Sequence, residues 1–209
     1  MTFSFGSNKD FMPLAQNIAE FASCLNKGAI KEIHIEAGGK LSTVDTSPIE
    51  IAVLKGVLSA NLVDINYVNA PIIAKQRGID VKTSKINSET DSIEVKLISQ
   101  DKETVIKGAL LAKNIKRIVQ INDYITSIEP KKHMLVVPHV NKPNMVASVA
   151  TVLGVDEINI SGMQVAQSTI NSSDSVMIIN CDSEISEATL DKINAIEGIN
   201  GAKYVGIEV

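Results

Sequence analysis

The sequence predicts an α+β protein of two α/β sandwich domains, and three observations carry that prediction. Apolar residues make up 44% of the chain, yet aromatics are only 3% and Trp is absent. The core must therefore be built from Ile, Val, Leu and Ala, and β-branched side chains favour strands. A short charged segment containing Pro130, from Glu129 to His133, separates two stretches of different pattern. After it the order reads strand, helix, strand, strand, helix, strand within about eighty residues, the split-βαβ order. The expected domains are residues 1–129 and 132–209.

The elements follow in turn. In "DFMPLAQNIAEFASCLNKG", Leu14, Ile18, Phe21 and Leu25 recur at helical spacing and Gly28 ends the run. "IKEIHIEAGG" alternates, with Ile33 and Ile35 on one face and His34 and Glu36 on the other, a half-buried strand closed by a Gly38-Gly39 turn. Asp45 to Pro48 starts a helix whose body is "IEIAVLKGVLSA". "APIIAKQRG" is a shorter helix, with Pro71 early and Gly78 late. "DVKTSKI", "SIEVKLIS" and "ETVIKGALLA" are strands between polar turns, and "RIVQI" and "YITSI" flank Asn122-Asp123 as a tight hairpin.

In the second domain "MLVVP" is a strand and the chain turns helical from Lys142, with Pro143 in the first turn. Val146, Val149, Ala150 and Leu153 form its apolar stripe. "INISGMQVA" and "SVMIINCD" are strands. Ser186 caps a second helix that turns Leu190 and Ile193 to the sheet, and "AKYVGIEV" is the last strand.

Composition excludes several function classes. A net charge of −4 gives no electrostatic basis for tight nucleic-acid binding. No apolar run approaches the roughly 18 residues that span a bilayer, and the N-terminus lacks the order of a signal peptide. Cys24 and Cys181 read as two buried thiols in a reducing cytoplasm, with one disulfide as the alternative. There is no G-x-G-x-x-G, no P-loop and no G-x-S-x-G. His34, His133 and His139 lack metal-ligand spacing, so neither a metal site nor a catalytic residue is expected.

One junction asks for more than a turn. "VVPHVNKPNMVASV" puts His139 and Asn141 between a strand and a helix start, with Asn141 expected at or near the N-cap. The first amides of a helix carry partial positive charge and attract a carboxylate. An Asn carbonyl oxygen can accept from an ammonium, and an imidazole can bond a hydroxyl or carboxylate. Together these elements suit a small polar amino acid, whereas Asn141 by itself reads as a plain cap.

At this point a resemblance enters. "KHMLVVPHVNKPNMVASVATVLGVDEINISGMQVAQ" resembles the regulatory end of D-3-phosphoglycerate dehydrogenases. "YVNAPIIAKQRGI", "RIVQIND", "FMPLAQNIAEFASCL" and "DTSPIEIAVLKGVLS" resemble upstream motifs of the same family, in the same order. The resemblance implies an allosteric substrate-binding intervening domain followed by a ferredoxin-like ACT domain. It also implies a parent NAD-dependent oxidoreductase of serine biosynthesis whose nucleotide-binding part is not in this sequence. The chain is then a fragment of a longer enzyme or a stand-alone regulatory subunit. No cofactor is expected in this chain itself.

By the same resemblance, L-serine binds as a feedback inhibitor at an interface between subunits, and His139, Asn141 and Asn159 match the residues that hold it. The family's Gly and Arg are replaced by Asn144 and Lys142, so the loop is expected to be reshaped. The first domain is expected to bind a phosphorylated substrate or another anion. Arg117 and Lys116 are the leading candidates, among Lys107, Lys113, Lys75 and Arg77, with a plain solvated face as the alternative for each. The expected partners are L-serine or a similar amino acid and further copies of the chain, paired through the ACT domain and also the first domain, in the cytoplasm. Two alternatives stand beside this reading: a ligand-free oligomerisation module, and the regulatory part of an iron-sulfur L-serine dehydratase.

Overall fold

The computed structural model describes residues 9–100, 102–111 and 115–209. The protein is α+β, with two sheets. By packing, the chain divides into two compact units between Asn122 and Asp123, ahead of the expected boundary at 129.

The first unit opens with α1 (Met12–Leu25), followed by β1 (Ile30–Gly38) and a 3-10 turn at Gly39–Thr43. Then come α2 (Ser47–Ser59), α3 (Ala70–Gln76), β2 (Asp80–Ile86), β3 (Ser92–Ser99), β4 (Glu103–Leu111) and β5 (Ile115–Ile121). The sheet order is β2-β1-β3-β4-β5-β6, where β6 (Tyr124–Ile128), entered from the Asn122-Asp123 turn, belongs by packing to the second unit. β1 and β2 are parallel, joined by a crossover that carries both shorter helices, while β3, β4 and β5 form an antiparallel meander.

Local sequence explains the edges of these elements. Pro13 and Pro48 sit in the first turns of α1 and α2, where a missing N–H costs nothing. The Asp45 carboxylate accepts the Ser47 amide at 3.0 Å and its hydroxyl at 2.7 Å, which fixes the entry to α2 and holds the Asp45 pKa down. Asn122 turns the chain with φ +49.

Leu14, Ile18 and Phe21 of α1 are fully buried and share a core with Ile33, Ile35, Ile93, Val95, Leu97 and Ile106. Two glycines set the depth of this packing. A Cβ at Gly56 of α2 would lie 2.3 Å from the Gln16 carbonyl oxygen, and one at Gly108 would lie 2.9 Å from Leu14. The other sheet face carries charge pairs: Lys82 to Glu32 at 2.6 Å and Lys96 to Glu103 at 3.2 Å. His34 lies on this face and touches Glu32 at 2.9 Å, as the alternation of β1 predicts.

The second unit contains β7 (His133–Val140), α4 (Met145–Val155), β8 (Ile160–Gln167), β9 (Asp174–Cys181), α5 (Glu187–Asn194) and β10 (Lys203–Gly206). The order β10-β7-β9-β8 is antiparallel throughout and ends on β8, beside which β6 runs through a Tyr124–Ser168 bridge. Leu135, Val137, Met177 and Ile179 meet Met145, Val149, Leu153 and Ile193 in its core. The Ser186 hydroxyl caps α5 by accepting the Thr189 amide at 3.1 Å.

The start of α4 differs from expectation. The helix begins at Met145, so Lys142 and Pro143 precede it and Asn141 is not its cap. The N-cap is Asn144, in the left-handed region at φ +70, a conformation that cannot continue a right-handed helix. The apolar stripe therefore runs through Met145, Val149 and Leu153, and Val146 is 40% exposed. Neither cysteine is in a disulfide. Burial pushes the Cys181 thiol up to about 11, which keeps it protonated and unreactive at neutral pH.

Candidate functional site

The junction after β7 is built from the strand outward. His139 alternates with Leu135 and Val137, and so shares the helix-covered face of the sheet. Only 3% of it is exposed. Its Nδ1 lies 2.9 Å from the Val140 carbonyl oxygen. A carbonyl can only accept, so Nδ1 carries the proton and donates. Nε2 is left facing inward, buried and with no hydrogen-bonding partner among the described residues. A buried polar nitrogen without a partner is rare in a folded chain, because the desolvated lone pair costs free energy.

Asn141 is exposed and anchored by its amides. Its backbone N–H donates to the Ser173 carbonyl at 2.8 Å, and its Nδ2 donates to the Ser172 carbonyl at 3.2 Å. That geometry turns Oδ1, the acceptor, away from the loop. The same Ser172 carbonyl accepts Gln167 Nε2 at 2.6 Å, so the last residue of β8 stands beside Asn141. Nothing in the sequence singled out Gln167 or Ser172. A polar run such as "QSTINSSD" reads only as a turn until the strand register is known.

Asn is among the few side chains that tolerate the left-handed region, and here Asn144 adopts φ +70. Lys142 reaches Glu197 at 3.6 Å.

Asn159 sits apart from this junction within the chain. Its N–H donates to the Asp182 carboxylate at 3.2 Å, and its carbonyl accepts the Asp182 N–H at 3.2 Å, just before β8 begins. His139 is level with Ser175 and Gln167, whereas Ile160 is level with Cys181. Six steps along β9 separate those levels, about 20 Å. One copy of the chain thus brings His139 and Asn141 together and leaves Asn159 at the opposite end of the sheet.

In the first unit, Arg117 faces Ala109 across β4 and β5, and Lys116 faces Leu110. Successive strand residues point to opposite faces, so Arg117 and Lys116 do not converge. Arg117 instead shares a face with Lys107. There, Ser88, Thr90, Ser92, Lys107, Ala109 and Val119 line a hollow of about 310 Å³. Lys107 is 4.0 Å from Glu94. Lys75 and Arg77 end α3, and Arg77 lines a different hollow of about 390 Å³ with Leu58, Asn61 and Ile79. Lys113 lies outside the described residues. Among the described residues, no cluster of His, Cys, Asp and Glu could hold a metal ion, and no helix is long and apolar enough to cross a membrane.

Fold and site together define a two-unit α+β chain whose polar hollows lie on sheet faces and at strand ends. Residues 8–122 match the family described as D-3-phosphoglycerate dehydrogenase intervening domain, and the chain belongs to that family. The similarity continues into the second unit. A D-3-phosphoglycerate dehydrogenase of Methanocaldococcus jannaschii is 31% identical over 205 residues, covering 97% of this chain and 39% of the relative. One from Archaeoglobus fulgidus is 32% identical, covering 93% and 38%. One from Synechocystis is 29% identical, covering 94% and 36%. The chain spans less than two fifths of the length of these last two relatives, and 39% of the first.

Proposed function

We propose that the chain is a regulatory part of a D-3-phosphoglycerate dehydrogenase. In this reading its second unit is a ferredoxin-like ACT module that binds L-serine between two copies for feedback inhibition. The observation that carries this is His139 Nε2, buried and without a partner beside a helix start. The β10-β7-β9-β8 order with two helices supports the ACT assignment. The exposure of Val165 on β8 supports the shared site. A two-fold arrangement that sets β8 antiparallel to its copy brings the partner subunit's Asn159 to the Gln167 end, where His139 and Asn141 lie. The serine carboxylate then meets the amides at the start of α4, Asn141 Oδ1 accepts from the ammonium, and His139 Nε2 accepts from the hydroxyl. Serine favours whichever subunit arrangement closes the site, and only that difference in affinity shifts the enzyme.

At a hundredfold excess over its Kd, L-serine is expected to raise the melting temperature by about 5 to 10 °C. His139→Ala and Asn159→Ala each abolish the rise. Absence of both binding heat and thermal shift at millimolar L-serine, with the protein folded, would refute the assignment.

The hollow beside Lys107 and Arg117 favours an anion, a phosphorylated substrate among them, as ligand of the first unit. Its hydroxyls from Ser88, Thr90 and Ser92 are donors for phosphate oxygens. Titration with 3-phosphoglycerate and with inorganic phosphate is expected to show binding that weakens with salt and is lost in Arg117→Glu.

A further inference from the structure

The loop between β8 and β9 joins two places of different character, both within the second unit. At one end it holds Asn141, through the Ser172 and Ser173 carbonyls. At the other it holds Asp123, the residue at which the chain enters this unit. The Ser168 hydroxyl donates to the Asp123 carboxylate. The Asp123 carbonyl accepts both the Thr169 N–H at 3.0 Å and the Thr169 hydroxyl at 2.8 Å.

The loop itself is tightly bonded. Ser168 Oγ accepts the Ile170 N–H at 3.1 Å and the Asn171 N–H at 3.0 Å. Asn171 Nδ2 donates to Asp174 at 2.8 Å, and Gln167 Nε2 clamps the Ser172 carbonyl. A segment cross-linked in this way moves as a body, so displacement at one end reaches the other. Ile170, at its crest, is 86% exposed. A shift of the loop therefore drags little apolar surface through the core.

We propose that Ser168–Ser173 is a strap that couples the Asn141 end of the sheet to the Asn122-Asp123 turn. It transmits occupancy of the site to the point where the two units join in sequence. The ligand part of this proposal rests on the amino-acid reading above; the mechanical part does not. A pull on Asn141 tilts the Ser172-Ser173 peptide, the strap follows, and the grip of Ser168 and Thr169 on Asp123 changes.

Amide exchange read by NMR on the full chain tests both parts. Without ligand, Asn141→Ala is expected to speed exchange of the Asp123 and Tyr124 amides by about threefold or more, while Ser148→Ala on exposed α4 leaves them unchanged. With saturating L-serine, the same amides are expected to slow in the native chain and to lose that response in Ser168→Ala, which still binds serine by calorimetry. Unchanged Asp123 and Tyr124 exchange in Asn141→Ala overturns the strap, whatever serine does. Serine binding with no change at these amides, or an intact response in Ser168→Ala, overturns its role in transmission. Absence of serine heat removes the amino-acid reading and leaves the first comparison to decide the strap.

Discussion

At the scale of single residues, the chain places unusual demands on a few side chains. His139 is held by a bond to its own neighbour's carbonyl, which fixes the tautomer and leaves one nitrogen waiting. Asn144 accepts a backbone conformation that costs most side chains about 1–2 kcal/mol. Asn144→Ala is therefore expected to lower stability by about 1 kcal/mol, and Asn144→Gly to change it by less than about half of that, in urea denaturation followed by circular dichroism. Equal losses in both variants would mean that the Asn side chain, rather than its φ, holds the turn. Of this residue chemistry the sequence showed only identities. His139 and Asn141 stood out because two polar groups flanked a strand end. That the histidine is buried and half satisfied depends on its register against Ser175, which no local pattern encodes.

At the scale of elements, local pattern went far. The strands "DVKTSKI" and "SIEVKLIS" run from Asp80 to Ile86 and Ser92 to Ser99, as read from alternation and flanking polar turns. The capping of α5 by Ser186 was equally legible. The start of α4 was not, because Pro143 suits both a first helical turn and a turn before a helix; the left-handed Asn144 decides between them. The two helices of the second unit are tied by Asp156 at the end of α4. Its carboxylate accepts Lys192 at 2.6 Å and Thr189 at 2.7 Å, bonds that hold its pKa below the usual 3.8. A depressed carboxylate stabilises the fold above its unfolded pKa and loses that effect as pH falls through the folded value. Acid titration from pH 5 downward is expected to melt the native chain with a component that Asp156→Asn lacks, measured as a flatter pH dependence of the urea midpoint. An identical slope in both proteins would show that Asp156 contributes nothing through its charge.

At the scale of the whole molecule, the proposed site needs a second copy of the chain. β6 runs alongside β8 through the Tyr124–Ser168 bridge, while Val165 on β8 is 43% exposed and so available to a partner copy. The protein is expected to sediment as a dimer or larger at micromolar concentration. Val165→Lys is expected to shift it toward monomer and to weaken serine binding at least about tenfold, with circular dichroism unchanged. A Val165→Lys variant with native size and affinity would place the interface elsewhere. Neither sheet order could be read from the sequence. Alternation names the strands and their faces, but which strands lie side by side follows from long-range packing. That is why His139 and Asn159, twenty positions apart in sequence, turned out to occupy opposite ends of one sheet.

The parallel pairing of β1 with β2 has a consequence for how the first unit assembles. Every other pairing among β1, β3, β4 and β5 is antiparallel, and few residues separate β3, β4 and β5 in sequence, so their pairings close quickly. β2 meets β1 only after the chain from Gly38 to Asp80 has doubled back with α2 and α3 in place, a long loop whose closure entropy comes before any contact rewards it. β3 reaches β1 across a longer stretch still, from Gly38 to Ser92, so nucleation is expected in the β3–β5 meander, with β1 and β2 adding to it later in refolding.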